Sequence, residues 1–171
     1  MSIKSIIQWP DPILSIPSDP VDSVGIEEKE VISDMIETMK ANFGLGISAP
    51  QIGVLKKIAV IDMEKIHKKP DQKNLVMINP KIIDGMGDIV AEEGCLSFPG
   101  TYVPVQRASL IIVEYTDEEG ERKSRTSFDL ESIAIQHEVD HLEGRLIVDS
   151  LPQHKRSKIL KEIYEKKLSA R

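Results

Sequence analysis

Residues 135–141 read Ile-Gln-His-Glu-Val-Asp-His, which puts His137 and His141 four positions apart with Glu138 beside the first. On a helix, residues four apart share one face, about one turn from each other. Two imidazole nitrogens would then reach a single metal ion, with Glu138 flanking it as a general base. An ordinary polar helix face is the rival reading. Chance placement gives this pattern in roughly one in a hundred chains of such composition. Ile133, Ala134, Ile135 and Leu142 surround the motif with apolar side chains. Buried polar groups without partners cost about 1–3 kcal/mol each, so an apolar helix carrying this set needs a reason for it, and metal binding supplies one.

A catalytic divalent site takes three protein ligands and keeps one position open. His67 lies in a lysine-rich segment and His154 opens a basic tail, so neither is a good third ligand. Glu143 is two positions past His141, about 200° round the helix, and faces away. Cys95 is the remaining soft ligand, in the irregular Glu93-Gly94-Cys95-Leu96-Ser97-Phe98-Pro99-Gly100 segment. A lone cysteine is more often a small buried hydrophobe. Next to a metal its thiol would deprotonate and complete a His₂Cys set. Such chemistry also needs a donor for developing negative charge. Gly44-Leu45-Gly46-Ile47-Ser48-Ala49-Pro50-Gln51 ends in an amide, although the same stretch also reads as a helix cap and turn.

The elements that must position these groups are legible in outline. The 171 residues, 40% hydrophobic and 29% charged, suit one soluble domain over 1–171. No apolar run reaches the roughly 18 residues of a membrane span. The opening MSIKSIIQWPDPIL lacks the pattern of a secretory signal, and a single cysteine favours a reducing, cytoplasmic setting. The net charge is −6, yet residues 152–171 hold seven basic residues, including Lys155, Lys158 and Arg171, against two acidic ones. This acidic body with a basic tail predicts two surfaces with different partners, and neither membrane nor DNA is expected among them.

Apolar spacing at Val31, Ile32, Met35, Ile36, Met39 and Phe43 predicts a first helix with one buried face, closed by Gly44. Residues 56–63, 75–83, 88–93 and 102–106 read as strands, and 65–74 as a polar loop with His67 at the surface. Residues 109–128 read as a hairpin turning at Gly120. Asp129 is the expected N-cap of a helix over 130–143, ended by Gly144. A last amphipathic helix over 153–168 has Ile159, Leu160, Ile163, Tyr164 and Leu168 as its stripe. The order predicts an α+β domain.

Three segments stand together in the chain: GLGISAPQ (44–51), EGCLS (93–97) and QHEVDH (136–141). In this they resemble the peptide deformylase family, whose motifs have the form GφGφAAxQ, EGCφS and HEφDH, φ being apolar. The likeness extends to WPDPIL (9–14), VPVQR (103–107) and HLEGRLIVD (141–149). Ser48 departs from it, standing where the family usually has Ala. The resemblance implies antiparallel β-sheets packed around a central metal-binding helix, with a C-terminal helix. It implies hydrolysis of the N-formyl group of formylmethionine on newly synthesised polypeptides, releasing formate. It implies Fe²⁺ as the metal, with Zn²⁺, Ni²⁺ or Co²⁺ as substitutes.

By the same resemblance, Cys95, His137 and His141 match the metal ligands and Glu138 the general base and acid. Gln51 and the Leu96 backbone N–H match the oxyanion donors. The backbone of Leu45, Gly46 and Gly94 matches groups that pair with an extended substrate, and Ile133 and Ala134 match the wall of the methionine pocket. The resemblance suggests that the basic tail docks on the ribosome near the exit tunnel, with a solvated basic helix face as the alternative. Asp140 is expected to pair with a buried cation, Arg107. A metal endopeptidase and a non-catalytic binding module are the alternatives.

Overall fold

The computed structural model describes residues 2–169, so Arg171 of the basic tail lies outside the described residues. The chain runs α1 (Ile26–Ala41), β1 (Gly46–Ser48), β2 (Ile58–Ile61), α2 (Met63–His67), β3 (Leu75–Met86) and β4 (Ile89–Cys95). It continues through β5 (Phe98–Arg107), β6 (Leu110–Thr116), β7 (Arg122–Phe128), α3 (Asp129–Leu142) and α4 (Gln153–Ser169). β1, β2, β3, β6 and β7 form one antiparallel sheet in that order, and β4 pairs with β5 in a second. This is the expected α+β arrangement. None of the described helices is long and apolar enough to cross a membrane.

β2 shows why the layers stack as they do. All four of its residues, Ile-Ala-Val-Ile, are fully buried. Strand side chains alternate between faces, so β2 serves two cores. Ile58 and Val60 join Ile32, Met35 and Met39 of α1. Ala59 and Ile61 join Ile135, Val139 and Leu142 of α3. Thus α3 sits against the inner face of the sheet. A third core gathers Leu14, Phe98, Val103, Val105 and Leu146, with Ile159, Leu160 and Ile163 of α4 packed on it. Tyr164 and Leu168, expected in the same stripe, stay about half exposed at 50% and 54%. The Lys167 ammonium donates to the Trp9 carbonyl, tying α4 to the start of the chain.

Three local expectations need correction. Gly44 does not supply the left-handed residue that ends α1. Phe43 does, at φ 56, past the end of α1 and exposed instead of lying on its buried face, with Phe43 N–H donating to Lys40 O (3.2 Å) and Gly44 N–H to Met39 O (3.0 Å). That is the Schellman bond pattern, carried one residue earlier than expected. Residues 65–74 are not all loop. Asp62 accepts from Lys65 N–H at 3.0 Å and caps α2, while Met63 and Ile66 are buried on one face. Asp129 does not cap α3 either. Its N–H is held by Ser109 O at 2.8 Å and β7 pairs up to Phe128, so the strand runs directly into the helix with no capping side chain. The other end of α3 follows expectation. Gly144 is left-handed at φ 71, and a Cβ there would lie 2.7 Å from Ser15 O.

Candidate active site

α3 carries His137 and His141 one turn apart, with ring centroids 5.0 Å from each other. Gln136 anchors this turn. Its amide oxygen accepts from Ala108 N–H (3.1 Å) and its NH₂ donates to Ala108 O (2.8 Å). The last residue of β4 meets the helix here, with Cys95 Sγ 3.2 Å from His141 Nε2. Ligand atoms of Cys95, His137 and His141 all lie within 4.8 Å of one another. Glu143 faces elsewhere, as expected, and pairs with Lys57 at 2.7 Å. His67 is exposed and lies 3.2 Å from Glu131, away from the cluster.

Strand alternation puts Glu93 on the same face of β4 as Cys95. Glu93 was absent from the expected site. Its carboxylate accepts from His137 Nδ1 at 2.8 Å, which leaves Nε2 of that ring free to bind a metal. Arg107 holds Glu93 in turn through Nε (2.6 Å) and Nη2 (2.9 Å). The same guanidinium reaches Asp140 at 2.5 Å, the pairing anticipated for Asp140, and Arg145 takes the other Asp140 oxygen at 2.8 Å. Burial pushes the Glu93 carboxyl up, but Arg107 and His137 outweigh it and hold it below the usual range. The sequence signal for Glu93 was its two-residue spacing from Cys95.

Burial likewise pushes the Cys95 thiol up. The charge of the His141 ring and the hydrogen bonds from both rings reverse this and hold it well below its ordinary value. A metal binds the thiolate form, which this environment favours. Glu138 is 4% exposed, and one of its oxygens has no partner among the described residues. Burial pushes its carboxyl up from the ordinary carboxylate value, although the charges of the His137 and His141 rings oppose this.

A cavity of about 610 Å³ opens over these groups. Leu45, Gly46, Gly94, Leu96, Ile133 and Ala134 all line it, along with Gln51, Cys95, His137 and Glu138. Leu96 sits in the two-residue turn between β4 and β5. Leu45 O accepts from Asp62 N–H at 2.8 Å, so that carbonyl belongs to the sheet. Gly46, one residue on, directs its N–H and C=O to the open edge of β1. A Cβ at Gly46 would lie 2.5 Å from Glu138 Oε1, so only glycine lets the strand pass this close to the carboxylate. Gly46→Ala is therefore expected to displace Glu138 and lower kcat about 10²-fold at unchanged metal content. Native turnover in that variant would remove the close approach from the account.

A thiol, two imidazoles and a buried carboxylate on an open cleft are groups that could hold a metal ion beside a proton-transfer group, the outline of a metal-dependent hydrolase site. The chain belongs to the polypeptide deformylase family, whose family model matches residues 3–157. A peptide deformylase of Endomicrobium trichonymphae is 44% identical, over 98% of this chain and 97% of that one. The crystal structure of a Legionella pneumophila peptide deformylase superimposes with a TM-score of 0.90 at 36% identity, over 99% of both chains. A peptide deformylase from Ehrlichia chaffeensis in complex with actinonin gives 0.88 at 34% identity, over 97% of this chain and 98% of that one. The chain is thus an enzyme that hydrolyses the N-formyl amide at the start of newly synthesised polypeptides and releases formate.

Proposed function

We propose that Cys95, His137 and His141 hold one divalent ion, and that Glu138 is the general base and acid of the deformylation. The observation that supports this most is the convergence of one thiol and two imidazoles within 4.8 Å, beside a buried carboxylate. The donors fit such an ion, since thiolate and imidazole are the ligands that zinc, iron and nickel sites share, and Glu93 orients one ring. When bound, the ion supplies a Lewis acid that brings a water's pKa toward neutrality and polarises the formyl carbonyl. We assign Fe²⁺ as the resident ion, from the family resemblance, with Zn²⁺, Ni²⁺ or Co²⁺ as substitutes.

The protein's own groups then carry the reaction. Glu138 takes a proton from the attacking water as its oxygen adds to the formyl carbon. The Gln51 amide and the Leu96 N–H donate to the carbonyl oxygen as it gains negative charge, and one such donor is typically worth about 2.7–4 kcal/mol. Glu138 passes its proton to the leaving nitrogen, so formate and a free amine result. The substrate lies extended, its backbone pairing with the free edges at Gly46 and Gly94 beside Leu45. Its methionine side chain rests on Ile133 and Ala134. A formate-release assay on a formyl-Met peptide, run beside an internal peptide, tests this reading. Formate from the first and no cleavage of the second is expected. Internal cleavage without formate would favour an endopeptidase.

In the same proposal the chain works as one domain in the cytoplasm, and the basic face of α4 docks on the ribosome near the exit tunnel. Lys155, Lys158, Lys161 and Lys166 are all exposed on that helix. Replacing the four by Gln should weaken ribosome co-sedimentation at low salt at least about tenfold, because each phosphate contact adds to the salt-sensitive term. Formate release from free peptides should stay unchanged. Undiminished co-sedimentation would dismiss the docking surface.

A further inference from the structure

We infer that Ser48 is a positioning residue that fixes which way the Gln51 amide points, an inference that rests on the oxyanion role proposed for Gln51. Ser48, Gln51 and Ser97 are buried to 0%, 1% and 1% exposure. They form a line of hydrogen bonds that runs in one direction only. At one end Ser97 Oγ lies 2.7 Å from the Ile7 carbonyl, which can only accept. The Ser97 hydroxyl therefore donates there and has only its lone pairs left for Gln51. Gln51 Nε2 lies 3.2 Å from that oxygen and donates to it. At the other end, Ser48 N–H can only donate, and it meets Gln51 Oε1 at 2.9 Å. The Ser48 hydroxyl joins it at 3.1 Å.

Both ends thus require the amide oxygen toward Ser48 and the NH₂ toward Ser97. One N–H of Gln51 is taken by Ser97. Nε2 also donates to Cys95 Sγ at 3.7 Å, which puts the amide nitrogen at the metal-ligand cluster. That is the group the proposed mechanism aims at the developing oxyanion. The Ser48 hydroxyl adds a second donor to the amide oxygen and so polarises the amide toward a better N–H donor, as hydrogen bonds in series do. Alanine, usual at this position in the family the chain resembles, offers the backbone N–H alone. The N-terminal segment closes the frame. Ile7 N–H donates to Gln51 O at 2.8 Å, and Trp9 N–H donates to Ser97 O at 3.0 Å. The amide is therefore clamped at its backbone as well as at its head.

A double-mutant cycle on the metal-loaded enzyme tests this. Ser48→Ala leaves no orphaned acceptor, because Gln51 Oε1 keeps the Ser48 backbone N–H, so the variant is expected to fold and to load metal normally. Its kcat should fall about 3- to 10-fold, the scale of one neutral hydrogen bond, with KM unchanged. In a Gln51→Ala background the same substitution should do nothing further. Side-chain NH₂ resonances give a readout apart from turnover. The Gln51 pair, assigned by its disappearance in Gln51→Ala, should be sharp in the native chain and broadened or averaged in Ser48→Ala. An unchanged kcat and NH₂ signal in Ser48→Ala would overturn the inference, as would an equal loss in the Gln51→Ala background. Full activity of Gln51→Ala would instead remove the oxyanion role, and this inference with it.

Discussion

Glu138→Gln is expected to keep its metal and its fold while formate release falls by about 10²–10⁴-fold, the usual worth of a positioned general base and acid. The side chain is nearly isosteric, so the space beside Gly46 remains filled. What disappears is a group able to take a proton and return it. Glu138 is suited to both halves because it is buried and its carboxyl is raised by that burial. A carboxylate in water would be a weaker base toward the attacking water. KM should change little, since Glu138 acts on the reacting atoms more than on the bound peptide. A Glu138→Gln enzyme with substantial kcat and native metal content would remove it from the proton-transfer role.

Cys95→Ser is expected to lower metal affinity by more than the roughly 10–100-fold typical of residues that merely orient ligands. The change is one atom, and the hydroxyl fits the same space. A serine hydroxyl stays protonated where this thiol is held well below its ordinary value by His141 and His137. The site therefore loses its one anionic ligand, and binding of a soft or borderline ion suffers most. Dialysis at fixed free metal followed by elemental analysis checks the affinity directly. Unchanged metal content in Cys95→Ser would exclude the thiol as a ligand.

Local spacing made the helical part of this site readable. His137 and His141 share a face because α3 is a helix, and its apolar flanks foretold burial against the sheet. Cys95 was reachable by eliminating other ligands, because the chain has only one thiol. The bond from Glu93 to His137 spans 44 residues and leaves only the faint trace of strand alternation beside Cys95. The one-way line from Ser48 to Ile7 is harder still, since it joins residues 90 apart between Ser97 and Ile7. Ser48 looked like a departure from a family pattern until its partner was known. Phe43 misled for a different reason. Glycine is the residue that usually takes the left-handed position after a helix, and here an exposed phenylalanine takes it at φ 56 while Gly44 makes the closing bond. Asp129 misled because capping preference is weaker than the pairing that carries β7 into α3.

The central claim is that one thiol and two imidazoles hold a catalytic ion. An anaerobic Co²⁺ titration of metal-free protein tests it most directly, reading the thiolate-to-metal charge-transfer band and formate release on the same samples. Both signals should rise together and stop at one ion per chain. Full activity with no charge-transfer band, or a band that saturates while formate release stays at background, would contradict the account.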